Sequence, residues 1–286
     1  MNSEFPLISI VVPSYNQGEF IEDTLLSILN QDYPNLEVIV IDGGSTDQTV
    51  NVLERYSQTI TFISESDNGQ SDALNKGFRM AKGSFVGWLN SDDIYPDRRA
   101  VSKIFFEFSR DPSADLIYGN FIEIDSKNLV LKIYKRPKYS HKRLLRIGYI
   151  SQPATFFRRR VIDSMAVRED LTYAMDLEYW LRAHKLQFKI KHTNFLIAAE
   201  RLHDEAKGVK TNKEQGLEAR EVRVLYGAEY NKFYSLYRFL DRLLLYAFRC
   251  FAISDLLFYK YSPKKLTIPL KFEGAVSRTL SFRLTK

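Results

Sequence analysis

Four short apolar runs separated by helical patterns constrain this chain more than any other feature of its sequence. The runs are Leu7–Val12, Leu36–Ile41, Thr59–Ser64 and Phe85–Leu89. Between the first two, Phe20, Ile21, Thr24, Leu25 and Ile28 share one helical face, which predicts a helix over Phe20–Leu29. Ser45 followed by Gln48 has the form of a capping box opening a helix through Tyr56, and Asp72–Ala81 reads as a third helix, ended by Gly83. Apolar strands alternating with helices imply a parallel sheet covered on both faces, an α/β architecture. Ligands of such sheets bind beyond the carboxyl ends of the strands.

Polar residues should therefore collect just after each run, and they do. The first run leads into Pro13-Ser14-Tyr15-Asn16 and the second into Asp42-Gly43-Gly44-Ser45-Thr46-Asp47. Asp67-Asn68-Gly69 follows the third, and Asn90-Ser91-Asp92-Asp93 the fourth. Each alone is an ordinary set of turn formers. Four at the same sheet edge mark a site.

Composition narrows the class. With 286 residues, 45% of them hydrophobic and 27% charged, the chain is an ordinary globular protein rather than a disordered one. A single cysteine, Cys250, excludes a disulfide framework and a cysteine-based zinc site, and fits a reducing compartment. The N-terminus does not read as a signal peptide, and the charge-free run Phe5–Gly18 holds Pro13, Asn16 and Gln17, which do not suit a membrane span. A cytoplasmic location is expected.

The middle of the chain reads differently. Asp115–Tyr118 and Phe121–Tyr134 have strand character, with a hairpin turn at Asp125–Asn128, and the basic stretch Lys135–Arg146 follows. Arg158-Arg159-Arg160 lacks the interleaved aromatics of a nucleic-acid surface and is read as a solvated helix start. Met175–Ala183 has helical composition and carries Asp176 and Glu178 on different faces. From Tyr230 onward there are eleven basic residues against three acidic ones. There Phe233, Leu236, Tyr237, Leu240, Leu243, Leu244, Ala247, Phe248 and Phe251 form one helical stripe. Such a stripe either lies in a membrane interface or packs on protein, including a second copy of the chain.

Adjacent carboxylates at a strand end need a cation to offset their repulsion, and Mg²⁺ or Mn²⁺ held by one or two carboxylates plus substrate phosphate supplies one. Helix capping explains Asp92 and Asp93 equally well on the residues alone. Asp42 is open to two readings, a cap or a hydrogen-bond acceptor for a base or ribose. Neither a Walker loop nor a GxGxxG is present, which removes the main support for ATPase and dinucleotide functions.

In order and spacing, the four clusters together with Asp72-Ala73-Leu74-Asn75-Lys76-Gly77 resemble the family 2 glycosyltransferases. The likeness is strong over residues 5–97. It continues through Gln152-Pro153-Ala154-Thr155-Phe156-Phe157 and Asp176-Leu177-Glu178-Tyr179-Trp180-Leu181-Arg182, then fades after about residue 210. It implies a GT-A fold over residues 1–210 with a helical basic extension over 211–286. It also implies inverting transfer of a sugar from a nucleotide diphosphate donor to a glycan or lipid-linked hydroxyl. By position, Pro13, Tyr15, Asn16 and Asp42 would line the base and ribose pocket, with Asp72, Asn75, Asn90 and Ser91 nearer the diphosphate and sugar. Asp92, with Asp93 beside it, would hold the Mn²⁺ or Mg²⁺, His203 would complete the metal shell, and Asp176 would be the general base. Asn90 stands where the family motif has its first acid.

The resemblance leads to an expectation of surface polysaccharide synthesis at the inner face of a membrane, with peripheral lipid contact, no nucleic-acid partner, and a homo-oligomer through the C-terminal helices as a further option. A nucleotidyltransferase and a sugar-nucleotide binding protein that has lost catalysis are the rival readings. The first would carry a Gly-rich basic loop after strand one, where this chain has Ser14-Tyr15-Asn16-Gln17-Gly18.

Overall fold

The computed structural model describes residues 5–204 and 212–260, together with two short paired strands, Ile268–Pro269 and Thr279–Leu280. The first part alternates strand and helix as the pattern requires: β1 Ile8–Ser14, α1 Ile21–Leu29, β2 Leu36–Asp42, α2 Thr49–Arg55, β3 Thr61–Ser64, α3 Gln70–Met80 and β4 Phe85–Trp88. There follow α4 Ala100–Arg110, β5 Leu116–Asp125, β6 Val130–Tyr134, α5 His141–Leu144, β7 Thr155–Arg158, α6 Arg159–Ser164, α7 Met175–Lys185 and β8 Ile190–Leu202. Two further helices, α8 Asn212–Leu225 and α9 Tyr234–Lys260, precede the two short paired strands.

One eight-stranded sheet runs in the order β3-β2-β1-β4-β7-β5-β6, with β8 on the free side of β5. The β3-β2-β1-β4 half is parallel, whereas β7 is antiparallel to both β4 and β5. Strand alternation sends side chains to two cores. Ile8, Ile10, Val12, Val38 and Val40 join α1 and α4 on one face, while Val11, Ile39 and Ile41 join α3 and α7 on the other.

On the second face α3 lies very close to the sheet. A Cβ on Gly77 would meet the Val11 Cγ1 atom at 2.3 Å. Gly77→Ala should therefore cost about 1–3 kcal/mol through overpacking, despite the better helix propensity of alanine. Chemical denaturation would show this as a lower midpoint, and an unchanged or higher midpoint would contradict the packing.

Several local expectations are corrected. Ser45 and Gln48 form no capping box, because the Ser45 hydroxyl is taken by Asp42; Asp47 instead accepts from Thr49 N at 2.9 Å. The segment around Gly119 is not a break between strands, since β5 runs through it with a shifted register against β8. The Arg158–Arg160 run does open a helix, but its side chains are not simply solvated. Arg158 Nε donates to Ala114 O at 2.6 Å, Arg159 reaches Ala81 O at 2.5 Å, and Arg160 pairs with Asp115.

Helix α8 buries Val222 in the core shared with α7. Helix α9 docks by its polar side, where the buried Asp241 pairs with Arg143 and with Arg146 at 3.1 and 2.5 Å. Its apolar stripe, including Leu236, Leu240, Leu243 and Leu244, is left exposed. The side chains of Arg249 and Phe251 lie outside the described ones. Among the described residues no helix is long and apolar enough to cross a membrane.

Candidate active site

The loops after β1 and β2 are tied together by side chains that sequence reasoning assigned to the donor. Asn16, at φ 52, accepts from Thr46 N at 2.9 Å and donates its own N–H to Ser45 Oγ at 2.7 Å. The Asp42 carboxylate is fully buried and takes Ser45 N at 2.9 Å, Ser45 Oγ at 2.5 Å and Ser64 Oγ at 2.7 Å. It organises the loop. Pro13 lies in β1, and the next residue but one, Tyr15, presents a ring that is 59% exposed. An exposed aromatic face on a rigid loop is suited to stacking a base.

At the start of α3, Asp72 accepts from Asn68 N at 3.1 Å, and that bond holds its carboxyl below the usual range. Asn75 points elsewhere: its amide donates to Val167 O and Glu169 Oε1, both at 2.9 Å, and its carbonyl accepts from Val167 N at 2.7 Å. Every polar atom of that side chain is engaged in joining α3 to the 167–169 segment, so the structure does not place it free toward a donor.

The cluster after β4 divides its labour. Asn90 Oδ1 accepts from Gln70 Nε2 at 2.8 Å and Trp88 Nε1 at 3.0 Å, which positions the loop. Ser91 is buried, and its backbone carbonyl accepts from Thr24 Oγ1 at 2.9 Å. Asp93 is also buried, and its Oδ1 accepts from Arg201 N at 2.9 Å, so its carboxylate is tied to β8. Burial, reinforced by the Asp92 charge, pushes the Asp93 carboxyl well up. Asp92 and His203 are brought together, with Oδ2 and Nε2 3.0 Å apart. The imidazole packs at a tilt against Phe20, ring centroids 4.6 Å apart.

Arg201, absent from the sequence-level candidates, fastens this corner. It is buried, donates to Asp92 O at 2.8 Å and Asn128 Oδ1 at 2.5 Å, and pairs with Asp23 at 3.5 Å. Its contacts span more than a hundred residues of chain, which no local pattern reveals.

Asp176 sits in the first turn of α7, partly buried, where Leu177 N donates to its Oδ1 at 2.6 Å. Burial raises its pKa to about 6 against that hydrogen bond. Helix α8 sets its position, because Glu218 Oε1 accepts from Tyr173 N at 2.8 Å and Ala174 N at 2.7 Å. Ser71 Oγ donates to Met175 Sδ at 3.2 Å, joining this turn to α3. Glu178 faces away, as expected, bonded to Tyr226 OH at 2.5 Å and paired with Arg182 at 3.0 Å. Glu200 on β8, also missed by sequence reasoning, lies within electrostatic range of both Asp92 and Asp176. Glu200 thus feels the charge of both the acid after β4 and the acid of α7.

Among the described residues no group of three His, Cys, Asp or Glu side chains is arranged to hold a metal. Asp92 and His203 nevertheless converge on one point, and one carboxylate with one imidazole suits Mn²⁺ when substrate phosphate and water supply the remaining ligands. That donor set fits a metal arriving with a diphosphate and does not form an all-protein cage.

Fold and site together define a nucleotide-sugar-type α/β domain with acids at the carboxyl edge, and comparison with known proteins gives the class its name. The glycosyl transferase family 2 model matches residues 9–166. Chondroitin synthase of Escherichia coli is 31% identical over 210 residues, 72% of this chain, and the chain spans 30% of that enzyme's length. Among solved structures, S. aureus TarS 1–349 with UDP-GlcNAc superposes with a TM-score of 0.62 at 18% identity, covering 79% of this chain and 68% of that one. The Pyrobaculum calidifontis mannosyltransferase PcManGT, in complex with GDP-Man and Mn²⁺, gives 0.57 at 17% identity, covering 92% and 89%. The architecture is the expected GT-A fold. The chain belongs to glycosyltransferase family 2. Membership sets aside the nucleotidyltransferase alternative.

Proposed function

We propose that this protein transfers a sugar, with inversion, from a nucleotide diphosphate donor to a hydroxyl of a glycan or lipid-linked acceptor in surface polysaccharide synthesis. The observation that supports the reading is the Asp92–His203 pair at 3.0 Å, together with Asp176, a carboxyl raised to about 6, whose charge Glu200 feels as it feels that of Asp92. Asp176 is the base that takes the proton of the attacking hydroxyl, and its raised pKa suits acceptance at neutral pH. Asp92 and His203 would hold the divalent ion, whose bound charge would offset that of the departing diphosphate. Tyr15 stacks the base, Asn16 and Asp42 shape the ribose loop, and Asp72 lies toward the diphosphate and sugar. Asn75, Asn90, Ser91 and Asp93 act by positioning. The relatives' printed names, a chondroitin synthase and structures with UDP-GlcNAc or GDP-Man, support a nucleotide sugar without selecting one. Thermal-shift measurement against a panel of nucleotide sugars with Mn²⁺ tests the reading: at least one donor should stabilise the protein in a metal-dependent way, and no shift with any donor would contradict it.

The catalytic unit of this proposal runs through α8, because Glu218 orders the turn that holds Asp176. The extension then begins with α9 and works at the cytoplasmic face of a membrane. Support comes from its exposed leucines and from Arg238 and Arg242, which are exposed beside them. The intact chain should co-sediment with anionic vesicles at low salt and be released at high salt, and the Leu240→Glu/Leu243→Glu double variant should not bind. Self-association without vesicle binding would assign the stripe to a second copy instead.

A further inference from the structure

The basic stretch Lys135–Arg146 has no part in the donor site, and much of its charge is accounted for within the fold. Arg143 and Arg146 share Asp241, while Lys138 and Lys142 are exposed, where an ammonium is solvated. Arg136 differs from all of these. Its guanidinium carbon lies 4.7 Å from the ring centroid of Phe121 and 4.7 Å from that of Tyr134, two rings stacked at 4.7 Å. Its Nε is buried with no hydrogen-bond partner, and no carboxylate of the described residues forms an ion pair with it. Burial lowers its pKa to about 10, which still leaves it cationic at neutral pH.

Aromatic faces make such a site tolerable for a cation but cannot accept its in-plane N–H groups. A partly buried guanidinium whose Nε lacks an acceptor is stabilised when an oxyanion meets it, and its planar fork matches carboxylate and phosphate. The candidate within the fold is Glu200, yet burial and the neighbouring Glu123 charge lift that carboxyl to about 7. It forms no hydrogen bond to the buried Nε of Arg136.

The location gives the vacancy of partners a meaning. Glu200 stands opposite Glu123 in the β5–β8 register, and Arg136 acts electrostatically on both. Glu200 in turn feels Asp176 and Asp92. Arg136 sits over Phe121, two residues along β5 from Glu123, and Glu200 opposite Glu123 directly precedes Arg201, which donates to Asp92 O, so Arg136 flanks the strands that carry the Asp92 corner. We propose that Arg136, seated on Phe121 and Tyr134 beside Glu200, is an anion-recognition site that selects acceptors carrying a carboxylate or phosphate near the sugar that is extended. The inference rests on the transfer reaction proposed above.

The test is a titration of the full-length chain, followed by NMR, with three probes: methyl glucoside, glucuronate and glucose 6-phosphate. At least one anionic probe should saturate at roughly tenfold or more lower concentration than methyl glucoside, since charge-assisted pairs are the stronger ones. Preference for glucuronate assigns the partner as a carboxylate, and preference for glucose 6-phosphate as a phosphate. Arg136→Gln should abolish the preference, and Arg136→Lys, which keeps the charge without the fork, should retain only part of it. Equal binding of all three probes, or a preference that survives Arg136→Gln, would overturn the proposal. If Arg136→Gln does not fold, an undiminished preference in Arg136→Lys overturns it instead. Donor hydrolysis by the unmodified protein reports the transfer reaction separately, so failure of one reading is not mistaken for failure of the other.

Discussion

Asp176→Asn is expected to lower turnover by about 10²-fold or more while leaving donor affinity intact, because it keeps the shape of the side chain and removes the proton acceptor. The unmodified protein should show a turnover profile that falls on the acid side with an apparent pKa near 6, the value to which burial raises this carboxyl. The same shift has a consequence for stability. The folded-state pKa lies above the unfolded one, so folding favours the neutral acid, and ionisation above about pH 6 costs stability. Asp176→Asn should therefore melt higher than the parent at pH 7.5, and the advantage should shrink as pH falls from about 6 toward 4. Glu178→Gln should do the opposite, weakening the Tyr226 and Arg182 contacts that join α7 to its surroundings and lowering stability with little effect on turnover. Equal kinetic losses in the two variants, or a lost donor affinity in Asp176→Asn, would remove Asp176 from the base role.

Asp92→Ala carries the second large effect. A bound divalent ion supplies several kcal/mol of charge stabilisation, so turnover should fall by roughly 10³-fold or more and the Mn²⁺-dependent part of nucleoside diphosphate affinity should vanish. The fold should survive, because the Asp92 side chain is partly exposed and its chief partner is His203. Asp93→Asn provides the contrast. Its carboxylate is turned to Arg201 N inside the protein, so its substitution should register in melting temperature before it registers in metal dependence. Full activity of Asp92→Ala, or of the parent in excess chelator, would contradict the assignment.

The parallel half of the sheet and its functional edge were legible in the sequence because both depend on local order. A strand buried on two faces is apolar throughout, and polar residues at its carboxyl end follow directly in the chain. Asp92 and Asp176 could be singled out on that basis together with the family likeness. What stayed hidden was fixed by contacts across long separations. Arg201 reaches Asp93 and Asn128, and Glu218 caps the turn before Asp176; their roles exist only once β8 and α8 are in place. Ser45 and Gln48 matched a capping pattern, but the carboxylate of Asp42, three residues back, competed for the same hydroxyl and won. Asn75 fitted the donor pattern equally well, and its partners near Val167 lie 92 residues away. For Arg136, the sequence recorded a basic stretch, and only the fold separates the charges that share Asp241 or are solvated from the one whose Nε lacks an acceptor, seated on Phe121 and Tyr134.

The central claim is single displacement at the anomeric carbon, driven by one base on one side of the sugar. It is tested most directly by following donor hydrolysis by proton NMR, with an α-linked nucleotide sugar chosen from the thermal-shift panel and Mn²⁺ present. Water takes the place of the acceptor hydroxyl, and the first sugar released should be the β anomer, appearing before mutarotation mixes the two forms. Release of the α anomer first would contradict the account.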